Sequence, residues 1–342
     1  MTTPPDNAGP TLVGTSYTRQ SRSPLEPWLP LLRLMRLPNV FTALADVLMG
    51  FVFARHSFSP GGALVCLVAA SGLLYTAGMV LNDVFDLEID RRERPQRPLP
   101  SGQIAVAQAW ALGIVMLLLG IGFGWMAGYL YQHDAQPTIP FPWRSGLVAT
   151  VLAVAVLLYD GVLKSTWLGP LNMGLCRSLN VLLGMSLAGP PPLGETPVWF
   201  HFTLAQVIVA AGLGLYVVGV TVYAKKEAEQ SNILWLLLGV VIMCAGVALL
   251  GLAANFTRLV FQQNWVYWAL LALLTATIVR RAIFAAFDGS PPAVQGAVKH
   301  AILSIIMLDA AVCVASAPPV YGIVVVALLG PALLLGKWVY ST

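Results

Sequence analysis

The chain has 342 residues, 58% of them hydrophobic and only 10% charged, with a formal net charge of +4 and a mean hydropathy of +0.77. Soluble domains carry about 25% charged residues, so this composition excludes a soluble enzyme, a disordered protein and a nucleic-acid-binding domain. At about 20 apolar residues per span, the length accommodates roughly nine to eleven transmembrane helices.

Residues 1–26 are polar and rich in Pro, Ser and Thr, without the basic start and apolar core of a signal peptide. They are expected to form a disordered cytoplasmic tail ahead of a single transmembrane domain over 27–342. Apolar runs follow at 38–55, 62–81, 104–130, 146–163, 170–189, 203–223, 233–254, 264–286, 296–316 and 319–337. Their length and lack of alternation favour helices over a barrel, hence an all-α polytopic membrane protein. Turns are marked by Pro60-Gly61-Gly62, Pro190-Pro191-Pro192 and Gly289-Ser290-Pro291-Pro292. Cys66, Cys176, Cys244 and Cys313 each sit alone in an apolar run and read as core residues. With the N-terminus in the cytoplasm, fifteen Lys and Arg fall on the cytoplasmic side, and only Arg55, Arg144 and Arg258 on the other. That bias supports ten spans with both ends inside.

The second run ends in Asn82-Asp83-Val84-Phe85-Asp86-Leu87-Glu88-Ile89-Asp90. The spacing predicts that Asp83, Asp86 and Asp90 share one helix face. Three carboxylates together need a counter-charge. A hard divalent cation such as Mg²⁺, bridging carboxylates to phosphates, supplies one. Neutralisation of a solvated helix end by Arg91, Arg92 and Arg94 is the competing reading. Downstream, Arg94 and Arg97 suit phosphate, because the planar guanidinium binds two oxygens at once. Arg177 and Asn180 lie about one turn apart within an apolar run, where an Arg must face a polar cavity or a carboxylate. Asp46 and Asp309 are each candidates for pairing with an internal cation. The four His residues and several Trp residues read as interfacial or solvent-facing.

Asn82-Asp83-x-x-Asp86-x-x-x-Asp90 followed by Arg97-Pro98-Leu99-Pro100-Ser101-Gly102 resembles the first signature of the UbiA superfamily of intramembrane prenyltransferases. Arg36-Leu37-Pro38-Asn39-Val40-Phe41-Thr42 is similar to that family's start, and Tyr159-Asp160-Gly161-Val162-Leu163-Lys164 to its Tyr-x-x-x-x-Lys element. The resemblance implies about nine helices around a central cavity, with a tenth C-terminal helix as an addition. It implies Mg²⁺ held by Asn82, Asp83, Asp86 and Asp90, and a prenyl diphosphate donor whose leaving group is neutralised by Arg94, Arg97 and Lys164. Catalysis would rest on Asp83, Asp86, Asp90 and Lys164. Asn39, Asn82, Tyr159, Arg177, Asn180 and Lys225 are further substrate-binding candidates. Tyr75, Phe85 and Tyr159 are candidate aromatic walls. The implied activity is transfer of a prenyl group to a small aromatic acceptor, at the cytoplasmic face of a bacterial inner membrane.

The family's second signature, Asp-x-x-x-Asp, is altered. The equivalent stretch, Thr221-Val222-Tyr223-Ala224-Lys225-Lys226-Glu227-Ala228-Glu229, holds no aspartate. Glu227 and Glu229 are the remaining candidate metal ligands there, and Lys225 could meet phosphate as a point charge. The run Gly169-Pro170-Leu171 … Cys176-Arg177-Ser178-Leu179-Asn180-Val181-Leu182-Leu183-Gly184 resembles the EboC branch of the superfamily. The alternative, favoured by the missing aspartate pair, is an EboC-type lipid-binding or metabolite-export component without turnover.

Overall fold

The computed structural model describes residues 28–132, 138–190, 197–225, 233–256 and 264–339. The expected tail, Glu227 and Glu229 lie outside them. The described residues are helical: α1 (Leu29–Leu34), α2 (Leu37–Arg55), α3 (Gly61–Phe85), α4 (Leu87–Glu93), α5 (Val106–Tyr129), α6 (Trp143–Leu158), α7 (Gly169–Met185), α8 (Leu204–Ala224), α9 (Ile233–Leu252), α10 (Asn264–Asp288), α11 (Pro291–Ser316), α12 (Pro319–Ala327) and α13 (Leu329–Val339). A π-helical turn, Tyr159–Leu163, extends α6.

Nine of these segments, with α12 and α13 taken together, are long and apolar enough to cross a membrane. The expected fifth run corresponds to α7, whose 17 residues fall short of that length. It nonetheless packs between α2, α6 and α8. The last run was expected as one helix; it is interrupted at Leu328, and its second part, α13, packs on α2. The run carrying Asp309 forms one continuous helix of 26 residues, α11.

Between helices in a membrane, close packing replaces the hydrophobic drive. The α2–α7 contact shows how. A Cβ on Gly50 would stand 2.6 Å from the Val181 carbonyl oxygen, and one on Gly184 would stand 2.5 Å from that of Val47. Only two glycines allow the backbones this close. Two phenols tie α8 outward: Tyr216 donates to the Ala301 carbonyl of α11 at 2.9 Å, and Tyr223 to the Ala282 carbonyl of α10 at 2.7 Å. The start of α8 is fixed by a reciprocal cap, with the Thr203 N–H donating to Gln206 Oε1 and the Gln206 N–H to Thr203 Oγ1.

At one end of the bundle, two buried arginines bind loop carbonyls. Arg55 donates to Ser59 and Leu187, at 2.8 and 2.7 Å. Arg144 donates to Ser186, His201 and Ala188, at 2.6, 3.0 and 3.2 Å. These bonds satisfy carbonyls left open just beyond the end of α7. The acidic motif lies at the opposite end.

Candidate functional site

The acidic segment is not one helix. The chain leaves helical geometry at Asp86, with φ −83° and ψ 0°, and restarts as α4. The expected single face is therefore bent. Even so, backbone bonds from Asp86 N–H to Asn82 and from Asp90 N–H to Asp86 carry the turn across the break. Arg97 joins Asp83 and Asp90, while Asp86 pairs with Lys164.

Each of the three carboxylates meets a cation from elsewhere in the chain. Arg36 Nη2 donates to Asp83 Oδ1 at 2.9 Å. Arg97 Nη1 donates to Asp90 Oδ2 at 2.6 Å and lies 3.5 Å from Asp83 Oδ1. Lys164 pairs with Asp86 and donates to Asn82 Oδ1 at 2.7 Å. Asp83 and Asp90 are buried, while the Asp86 side chain keeps 19% of its exposure. Arg94 is peripheral, 4.0 Å from Asp90 and half exposed. Arg91 pairs with Glu88 on the surface, away from this set.

Arg36 belongs to this cluster, although sequence reasoning placed it only in a motif. It sits in left-handed backbone, φ 45° and ψ 45°, at the joint between α1 and α2. That conformation is uncommon for a residue with a Cβ. The close approach of the α1–α2 joint to Asp83 required tertiary information to find.

A cavity of about 370 Å³ opens beside the cluster, within the size range of small-molecule sites. Arg36, Asn39, Tyr159 and Asp160 line it, together with Tyr75, Leu74, Val156, Val220 and Ile305. The apolar lining suits a hydrocarbon chain. Asn39, Tyr75 and Tyr159 thus stand where the sequence placed them. Phe85 does not: it is 43% exposed and packs edge-on against Trp110 on the outer surface. Its position on α3 turns it outward, because Asn82 and Asp83 take the inner face.

Arg177 and Asn180 reach the cavity deeper in the bundle. Arg177 Nε lies 2.9 Å from Asp46 Oδ2, and Asn180 Nδ2 donates to the same oxygen at 2.8 Å. Ser71 Oγ donates to Asn180 Oδ1 at 2.7 Å, and Asp309 of α11 lies against Asp46. Both sequence alternatives for Arg177 hold at once, since it faces the cavity and pairs with a carboxylate. Asp46 is its partner. On α2, Asp46 stands ten residues beyond Arg36, about 15 Å deeper.

Lys225 ends α8, exposed, and donates to the Thr166 carbonyl at 3.1 Å. Thr166 follows two residues after Lys164, so Lys225 borders the cluster without entering its ion pairs. Among the described residues, no three His, Cys, Asp or Glu side chains converge tightly enough to enclose a metal ion. Asn82, Asp83, Asp86 and Asp90 offer only hard oxygen donors. That set suits Mg²⁺, which is usually held by one or two carboxylates and completed by phosphate oxygens and water.

The fold and site define a polytopic membrane protein with an apolar internal cavity and an acidic and basic cluster beside it. The UbiA prenyltransferase family profile matches residues 43–291, and the chain belongs to that family. It is 29% identical over 154 residues to the digeranylgeranylglyceryl phosphate synthase of Saccharolobus solfataricus, covering 45% of this chain and 50% of the synthase. It is 33% identical over 186 residues to the synthase of Sulfolobus acidocaldarius, covering 52% of this chain and 61% of that protein. The chain thus spans about half the length of the curated relatives it matches. The apo structure of a UbiA homolog from Aeropyrum pernix K1 has the same fold, with a TM-score of 0.55 at 18% identity, covering 87% of this chain and 98% of that one.

Proposed function

We propose that residues 27–342 act as one intramembrane prenyltransferase domain, transferring a prenyl group from a prenyl diphosphate to a hydroxyl-bearing acceptor. One observation carries this reading: three motif carboxylates are each matched to a cation, and one of those cations, Arg36, lines an apolar cavity. The tail of the donor lies in the cavity. Its diphosphate takes the place between the carboxylates and the cations.

When bound through Asp83, Asp86 or Asp90, Mg²⁺ supplies charge compensation to the diphosphate. Arg36, Arg97 and Lys164 turn from their carboxylate partners to the phosphate oxygens, fixing the donor's orientation. They stabilise the negative charge that develops as diphosphate leaves. The Tyr159 ring on the wall faces the allylic carbon as it gains positive character. Asn39 orients the head of the substrate from the opposite wall.

The acceptor expected from the family resemblance is small and aromatic. The names of the synthases above add a glyceryl phosphate lipid as the second test case. Narrower placement in the EboC branch, with a lipid-binding or export role, draws no support from those relatives. The charge bias along the chain supports a cytoplasm-facing cluster, and a bacterial inner membrane is the setting we infer from the resemblance.

The test is diphosphate release by purified protein in lipid vesicles, supplied with geranylgeranyl diphosphate and either a phenol or geranylgeranylglyceryl phosphate. Release that requires Mg²⁺ and is lost in Asp86→Asn is the expected result. Donor binding without release in the presence of both acceptors would overturn the enzymatic reading in favour of a lipid binder.

A further inference from the structure

Asp160 is the one acidic side chain among the described residues that line the cavity. It lies in the π-helical turn Tyr159–Leu163, between the end of α6 and Lys164. Single π turns inside helices are frequent at functional sites. The extra residue in the turn changes which side chains face inward, and here Tyr159 and Asp160 both reach the cavity.

Oδ2 of Asp160 is buried, and no hydrogen-bond donor among the described residues reaches it. A buried carboxylate oxygen without a donor is costly. Acids within membrane domains usually face a cavity or a partner and mark function. Asp160 has charge around it without a bond to Oδ2. Lys164 shares its turn, Asp83 and Asp86 face it from α3, and Arg36 faces it from the α1–α2 joint. Tyr159 beside it and Cys176 of α7 complete the titratable surroundings. Lys164 is engaged by Asp86 and Asn82, and Arg36 bonds Asp83. The motif carboxylates are therefore neutralised in pairs, whereas Asp160 lines the cavity and its buried Oδ2 lacks a donor.

Prenyl transfer to a hydroxyl releases a proton. As the acceptor oxygen forms its bond to the allylic carbon, the carbon–oxygen bond to diphosphate breaks, and the acceptor's O–H proton must leave. We propose that Asp160 is the catalytic general base of this cavity, its carboxylate taking the acceptor's hydroxyl proton. The proposal rests on the prenyl-transfer reading above. It makes a prediction about acceptors as well, since the acceptor must present a hydroxyl to the π turn.

The experiment compares the full-length protein with Asp160→Asn and Asp160→Glu, reconstituted in vesicles. Binding of geranylgeranyl diphosphate with Mg²⁺ is measured by titration, and transfer is measured to 4-hydroxybenzoate and to geranylgeranylglyceryl phosphate across pH. We expect donor affinity in Asp160→Asn to stay within about 3-fold of the original, while kcat falls by about 10²- to 10⁴-fold, the usual range for general-base removal. The acid limb of the kcat profile should disappear in Asp160→Asn and persist, displaced, in Asp160→Glu. Transfer by Asp160→Asn at an unchanged rate overturns the proposal, as does an acid limb that survives this change. Equal loss of donor binding and turnover also overturns it, because Asp160 then helps assemble the diphosphate site. Those outcomes leave the prenyl-transfer reading standing. If the unmodified protein binds donor yet prenylates neither acceptor, the underlying reading falls and this proposal with it.

Discussion

Lys164 Nζ donates to Asn82 Oδ1 at 2.7 Å across 82 residues of sequence, while also pairing with Asp86. The end of α3 and the turn after α6 are thereby locked together at the cavity mouth. One cation holds an amide and a carboxylate that lie four residues apart.

This shared contact predicts strong coupling. Lys164→Met and Asp86→Asn should each lower prenyl-transfer rate by about 10²- to 10³-fold, the usual cost of losing one electrostatic stabiliser. The double variant should lose less than the product of the two, since each single change disrupts the same unit. Initial rates of diphosphate release in vesicles measure this directly, and independent effects would place the two residues in separate roles.

The Arg177–Asp46 pair is buried, with side-chain exposures of 8% and 0%. Arg177→Met leaves Asp46 and its neighbour Asp309 without that cation. Breaking one side of a buried pair costs about 3–5 kcal/mol, so thermal unfolding in detergent should show a large drop in midpoint. Arg177→Met combined with Asp46→Leu should recover part of it, because an apolar replacement removes one of the two stranded acids.

Packing of α2 on α7 gives a sharper structural test. Gly184→Val places new carbon atoms against the Val47 backbone, where even a Cβ would stand 2.5 Å from the carbonyl oxygen. The helices must separate, and folded protein in a membrane extract should fall steeply. Gly122→Ala on α5 meets nothing within 4 Å and should leave the yield unchanged in the same assay.

Lys225 is exposed and bonded to the Thr166 carbonyl. A single such bond is worth about 0.5–1.5 kcal/mol. Lys225→Ala should therefore weaken donor binding by less than about 10-fold and leave the Mg²⁺ dependence of binding in place. A loss as large as that of Asp86→Asn would instead put Lys225 on the diphosphate.

The helices and the acidic motif were legible because both are local patterns. Long apolar runs announce helices, and the Asp83–Asp90 spacing is short enough to argue from one segment. The break at Asp86 was not legible, since it depends on how α4 folds back under Arg97. Arg36 was hidden for a related reason: its reach to Asp83 follows from a left-handed joint between two helices. Asp160 lay in plain view within a quoted motif. An acid inside a membrane run was the available signal, but the π turn that aims it inward appears only in three dimensions. Phe85 was misassigned because one helix position decides between the cavity and the lipid.

The two arginines spent on loop carbonyls at the far end of the bundle bear on how the molecule lies in a bilayer. Arg55 and Arg144 are 6% and 1% exposed, respectively, and their donors are engaged by backbone oxygens. They count as basic residues in a sequence tally, yet they offer almost no charge to lipid headgroups. Exposed Arg91, Arg92 and Arg94 lie at the other end, beside the acidic motif. Among the described residues, the electrostatic asymmetry felt by a membrane is consequently steeper than the residue count suggests. An anionic leaflet would draw the cluster end of the bundle toward itself, with little pull from Arg55 and Arg144 at the far end.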